Sequence, residues 1–230
     1  MKSPILTVDG PSGAGKGTIC QYVALRLSWH YLDSGAVYRS LAWVASQSEV
    51  HLADEKALVK LASELQLVCR VRENDTALIE VNGMIVNEEL RTEETGEIAS
   101  QVAKIPSVRE ELLAMQKRCA QAPGLVADGR DMGTVVFPDA IMKVFLTASA
   151  QVRAQRRYEQ LQSKGFDVSI ARLLEAIQTR DARDSSRSTS PLKPADDAIV
   201  IDTSELSIED VNSQVLSLIK QRLALSSEAS

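Results

Sequence analysis

The chain has 230 residues, 44 % apolar and 25 % charged, with a formal net charge of −5. That length suits one α/β domain with a small insertion, and the acidic balance argues against a nucleic-acid-binding surface. No apolar run approaches the ~20 residues of a membrane span, no signal-like segment opens the chain, and Cys20, Cys69 and Cys119 lack the spacing of a disulfide framework or zinc site, so a cytoplasmic protein with reduced thiols is expected.

Residues 5–8 (Ile-Leu-Thr-Val) read as a short buried strand. They run into Gly10, Pro11, Ser12, Gly13, Ala14, Gly15, Lys16, Gly17 and Thr18, and a helix follows to residue 27 with Ile19, Val23 and Leu27 at helical spacing. A strand, a glycine-rich loop and a helix in that order make a cradle for nucleotide phosphates. Glycines let backbone N–H groups turn inward, the helix N-terminus adds positive potential, and Lys16 supplies a mobile cation. The usual pattern puts Ser or Thr directly after the lysine to meet Mg2+; here Gly17 stands there and Thr18 follows. A structural Gly-rich turn is the alternative reading.

A second strand over 29–32 ends at Asp33-Ser34-Gly35, and a helix follows with Val37, Leu41, Val44 and Ala45 on one face. Asp54 caps a third helix through Leu65. Residues 67–71, 77–81 and 84–86 read as three strands, with turns at Glu73-Asn74-Asp75 and Asn82-Gly83. Their short loops force antiparallel pairing, so residues 66–88 are expected to form a small antiparallel insertion in a core of 1–65 and 89–230. Helical patterns resume over 98–105 and 108–119 with Pro106 between them. Strands follow at 125–127 and 141–146, helices at 151–161 and from a Ser169 cap on, a last strand at 198–201, and a helix started by Ser207 and Asp210. The alternation favours a parallel sheet with helices on both faces.

Arginines are the natural grip for an acceptor phosphate. Arg39 lies one turn into the helix after Ser34-Gly35, where a solvated surface position is an equal reading. Asp128-Gly129-Arg130-Asp131-Met132-Gly133-Thr134 follows an apolar strand, and its two glycines bracket an arginine and an aspartate in what reads as a tight turn, with a purely structural turn holding a local Arg–Asp pair as the alternative. Asp128 has the placing of a magnesium-holding carboxylate, although Asp202 also ends an apolar strand. Arg180, Arg183 and Arg187 share one helix face. Arg180 and Asp184 also fit an ordinary i,i+4 pair, but together with Arg153, Arg156 and Arg157 the group reads as a two-armed lid over about 153–187 that neutralises charge and excludes water.

These segments, with Leu32-Asp33-Ser34-Gly35-Ala36-Val37-Tyr38-Arg39, resemble the nucleoside-monophosphate kinases, and among them the bacterial cytidylate kinase family. The resemblance runs from Ile5 to the C-terminal helix. It implies a three-layer fold with a five-stranded parallel sheet in the order 2-3-1-4-5, a monophosphate-side insertion and a lid. It also implies transfer of the ATP γ-phosphoryl to CMP or dCMP by a monomer. Residues 10–18 would bind ATP; Lys16, Arg130, Arg153, Arg157, Arg180 and Arg187 would act on the phosphates. Ser34, Arg39, Arg130 and Arg187 would hold the acceptor phosphate, Asp184 the sugar, and Ser100, Arg109 and Asp131 the base. Mg2+ would arrive with ATP, with Thr18 and Asp128 as candidate aids. Kinases of AMP, UMP or a small alcohol are the neighbouring reading. A regulatory NTPase is less well matched, because no Asn-Lys-x-Asp segment is present, and a non-catalytic binding module would not call for so many arginines.

Overall fold

The structure, a computed structural model, describes residues 3–73, 76–163, 165–186 and 191–228. Ile5–Asp9 (β1), His30–Asp33 (β2), Leu125–Gly129 (β6), Met142–Thr147 (β7) and Ile199–Asp202 (β8) form a five-stranded parallel sheet in the order β2-β6-β1-β7-β8. Counted among themselves, those strands run 2-3-1-4-5, as the resemblance implies. β1 pairs with β7 at Val8 and Val144, and β7 pairs with β8 at Val144 and Ile199. The central strands are apolar almost without alternation (Leu6, Val8, Leu125, Val126, Val144 and Leu146 are buried) because helices cover a parallel sheet on both faces.

The insertion forms as expected: Leu67–Arg70 (β3), Leu78–Val81 (β4) and Met84–Ile85 (β5) make an antiparallel sheet. Asn82 and Gly83 turn between β4 and β5 with φ of 50° and 83°, the double left-handed geometry of a tight hairpin. The Asn82 side chain also accepts from Gln66 N–H at 2.9 Å, which fixes the turn against the start of β3. The expected turn residues Asn74 and Asp75 lie outside the described residues.

Helices are Lys16–Leu27 (α1), Ser34–Gln47 (α2), Glu55–Glu64 (α3), Glu93–Val102 (α4), Pro106–Arg118 (α5), Ala150–Gln162 (α6), Ile170–Ser185 (α7) and Ile208–Glu228 (α8). Their starts follow local chemistry. Asp33, Asp54, Thr92 and Ser149 accept from backbone N–H groups of α2, α3, α4 and α6, and Pro106 occupies the first turn of α5. Ser207 and Asp210 bond reciprocally at the head of α8. Ser169 stands at the cap position of α7 without a side-chain cap bond, unlike the sequence expectation.

The chain packs as two units. One comprises Met1–Pro4 and Ala24–Ala127, the other Ile5–Val23 and Asp128–Ser230. Within the first, α2 packs on α4 and α5, and α3 packs on α5; within the second, β1 packs on β7 and α6 packs on α7.

Candidate active site

The phosphate loop begins where β1 ends. Gly10, Gly13 and Gly15 have φ of 148°, 82° and 90°, conformations that side chains resist. Lys16 opens α1 and its Nζ donates to Pro11 O at 3.0 Å. Burial pushes the Lys16 ammonium below its ordinary pKa, and the Asp128 carboxylate, 4.0 Å away, works against that shift. An enclosed lysine at the end of a glycine-rich loop is a cation held ready for an anion.

The segment after β6 differs from the expected tight turn. The strand continues through Asp128 and Gly129, and Met132–Val136 then forms a π-helical turn. Val136 N–H and Phe137 N–H donate five residues back, to Asp131 O and Met132 O. The cause lies on another strand. Asp9, the last residue of β1, accepts from both Met132 N–H and Gly133 N–H at 2.8 Å, which fixes the entry of the turn. Gly133 is required there, since a Cβ would stand 2.8 Å from the Thr7 hydroxyl.

Sequence reasoning missed Asp9. Its only signal was an aspartate ending an otherwise apolar strand just before the loop. Burial raises its pKa from the ordinary 3.8 to about 6, with the Asp131 charge adding to the rise and the two amides and Lys16 opposing it. Because the folded value lies above the unfolded one, the stability linked to Asp9 is fully present below pH 3.8 and is lost as pH rises through 6. Asp9→Asn does not titrate, so its stability relative to the parent should improve between about pH 4 and 7, by up to about 3 kcal/mol. Urea unfolding of both proteins at several pH values measures this; a pH-invariant difference would contradict the shift.

Arg130 reaches from the end of β6 to α7, where its Nε donates to Asp184, a carboxylate only 2 % exposed. Arg153 on α6 is just 4 % exposed. Its Nε donates to Ala148 O, its Nη1 to Ser12 O at 3.1 Å, and its two terminal nitrogens grip both Asp181 oxygens. Arg156 donates to Thr203 O and Oγ1, while the exposed Arg157 bonds Gln160 along its own helix. Arg180 is half-buried on α7. Arg187 lies outside the described residues. Lys16, Arg130, Asp131, Arg153, Arg157, Arg180 and Asp184 thus belong to the phosphate-loop unit.

The remaining acceptor candidates belong to the other unit. Ser34 is buried at the start of α2, and Arg39 is half-buried one turn later. Ser100 on α4 donates back to Gly96 O at 3.0 Å. Arg109 on α5 has its guanidinium carbon 5.9 Å from the Tyr38 ring centroid, which brings it beside the neighbour of Arg39, and its Nη1 donates to Ala103 O.

Among the described residues, no three His, Cys, Asp or Glu side chains gather as a metal cage, and no disulfide is formed. A magnesium ion carried on nucleotide phosphates needs only one or two protein oxygens. The Thr18 hydroxyl in the first turn of α1 and the Asp128 carboxylate at the end of β6 have the hard-oxygen chemistry it takes. No described helix is long and apolar enough to cross a membrane.

A glycine loop with an enclosed lysine, backed by arginines on a parallel α/β sheet, defines a phosphoryl-transfer enzyme of the phosphate-loop class. A family model for cytidylate kinase matches residues 6–221. The chain belongs to the cytidylate kinase family. A cytidylate kinase of Shewanella frigidimarina (strain NCIMB 400) is 56 % identical over 225 residues, spanning 97 % of this chain and 98 % of that protein. Another, from Photobacterium profundum, is 54 % identical over 221 residues, spanning 96 % of each. The solved structure of an uncharacterized protein from Eubacterium ventriosum ATCC 27560 is alike in fold alone, with a TM-score of 0.51 at 11 % identity over 96 % of this chain and 99 % of that one.

Proposed function

We propose that this chain transfers the γ-phosphoryl group of ATP to CMP or dCMP, giving ADP and CDP or dCDP. The observation that carries the reading is the junction at Asp9, which ties the phosphate loop directly to the segment bearing Arg130 and Asp131. A donor-phosphate cradle and an acceptor-side arginine fixed to one another are what in-line transfer between two phosphates needs.

Residues 10–18 hold the donor phosphates, with Lys16 exchanging its bond to Pro11 O for phosphate oxygens. Bound Mg2+ would neutralise β- and γ-phosphate charge, with Thr18 and Asp128 as the protein oxygens nearest that task. Arg130, oriented by Asp184, grips the acceptor phosphate. Ser34, Arg39 and Arg187 complete that grip, Asp184 meets the sugar, and Ser100, Arg109 and Asp131 read the base. Arg157, Arg180 and Arg187 gather round the transferring group as a lid over about 153–187. An ionised monophosphate oxygen is already nucleophilic at pH 7, so no strong general base is required. The reading places the enzyme in the cytoplasm as a monomer acting on free nucleotides, within a single kinase domain whose insertion at 66–88 belongs to the monophosphate side.

The test is ADP production from Mg-ATP with CMP, dCMP, UMP, AMP or no acceptor. Rapid turnover confined to CMP and dCMP is expected. Equal rates with AMP or UMP would overturn the base-reading residues, and ADP release without any acceptor would point instead to hydrolysis.

A further inference from the structure

The amides of a phosphate loop are useful only if its carbonyls point elsewhere. In a trans peptide the C=O of one residue and the N–H of the next point in opposite directions. Holding a carbonyl outward therefore aims the following amide inward. Side chains hold three carbonyls of this loop: Pro11 O by Lys16 at 3.0 Å, Ser12 O by Arg153 at 3.1 Å, and Ala14 O by the Thr203 hydroxyl at 3.4 Å. The first is the bond that Lys16 gives up when it moves to phosphate. The second depends on a side chain with almost no other freedom.

Arg153 is enclosed, with its aliphatic stem packed on the bare face of Gly13 and its Nε bonded to Ala148 O. Asp181 takes both terminal nitrogens, so the plane of the guanidinium, and hence the direction of its bond to Ser12 O, is set from α7. One turn on, the same helix presents Asp184 to Arg130. We infer that Asp181 is a positioning residue for ATP: through Arg153 it orients the Ser12–Gly13 peptide of the phosphate loop, so that α7 holds the donor cradle at Asp181 and the acceptor arginine at Asp184. Arg153 acts here as a strut rather than as a group that touches transferring phosphate. The inference rests on the kinase reading above and adds to it a link between the lid helix and the donor loop.

Asp181→Asn keeps the shape but loses the charged two-oxygen grip. It should raise KM for ATP about tenfold, the scale of a lost charge-assisted bond, with KM for CMP within about twofold. Arg153→Lys should give the same signature, because an ammonium cannot reach Ala148 O, Ser12 O and the carboxylate in one plane. The double variant should be no worse for ATP than the more affected single, since both changes break one chain of contacts. Asp181→Glu should recover part of the loss. A purely structural role would lower the unfolding temperature without separating the two KM values. Unchanged KM for ATP in Asp181→Asn, equal rises in both KM values, or additive effects in the double variant would each overturn the inference. Titration of a fluorescent ATP analogue, with no acceptor present, reads the strut independently. Weakened binding there supports it even if CMP proves not to be the acceptor, whereas unchanged binding refutes it.

Discussion

Lys16→Ala should lower kcat with CMP by about 10²–10³-fold while KM for CMP changes less than about threefold. Lys16 is the cation built into the donor cradle, and burial pushes its ammonium below its ordinary pKa. In the protein without nucleotide its Nζ donates to Pro11 O and stands 4.0 Å from the Asp128 carboxylate, with Asp9 and Arg130 also acting on its charge. A triphosphate offers it far more negative charge, and that charge moves onto the bridging oxygen as transfer proceeds. Interaction that grows along the reaction coordinate appears in kcat rather than in acceptor binding. Arginine is not a substitute, since its planar fork does not fit where a point charge is enclosed by backbone. Lys16→Arg is therefore expected to resemble Lys16→Ala more than the parent. Steady-state kinetics on variants that retain the parent's unfolding transition decide the matter, and near-normal kcat would remove Lys16 from the transfer step.

What could be read from the chain was what neighbouring residues decide among themselves. The phosphate loop, the Asn82-Gly83 hairpin and the cap at Asp54 each depend on residues within a few positions, and all appear in the structure. The sheet order was legible only through resemblance, because nothing local states which strands pair. Asp9 and Met132 are 123 positions apart, so neither the carboxylate's task nor the π-helical turn it anchors leaves a local pattern. The charged helices show the same division. Helical spacing put Arg153, Arg156 and Arg157 on one arm, but could not say that Arg153 is enclosed against Ser12, 141 positions away, while Arg157 is exposed. Likewise the i,i+4 spacing of Arg180 and Asp184 gave no hint that Asp184 holds Arg130, 54 positions away.

Asp131→Asn should reduce the preference for CMP over UMP, measured as the ratio of kcat/KM values, by about five- to 150-fold, the equivalent of ~1–3 kcal/mol. Cytosine presents an amino donor at N4, to which a carboxylate is matched; uracil presents O4 there, an acceptor that a carboxylate repels. An asparagine amide can turn either way, accepting from N4 or donating to O4, so it loses the repulsion that excludes uracil more than it loses attraction for cytosine. The backbone makes this a fair test of one side chain. Asp131 O accepts Val135 N–H and Val136 N–H, and Asp9 takes the next two amides, so the position of residue 131 is fixed by bonds that the substitution leaves alone. Asp9→Asn, by contrast, disturbs that frame and should weaken CMP and UMP together. If Asp131→Asn left the ratio unchanged while Asp9→Asn altered it, discrimination would lie in the loop backbone rather than in the Asp131 carboxylate.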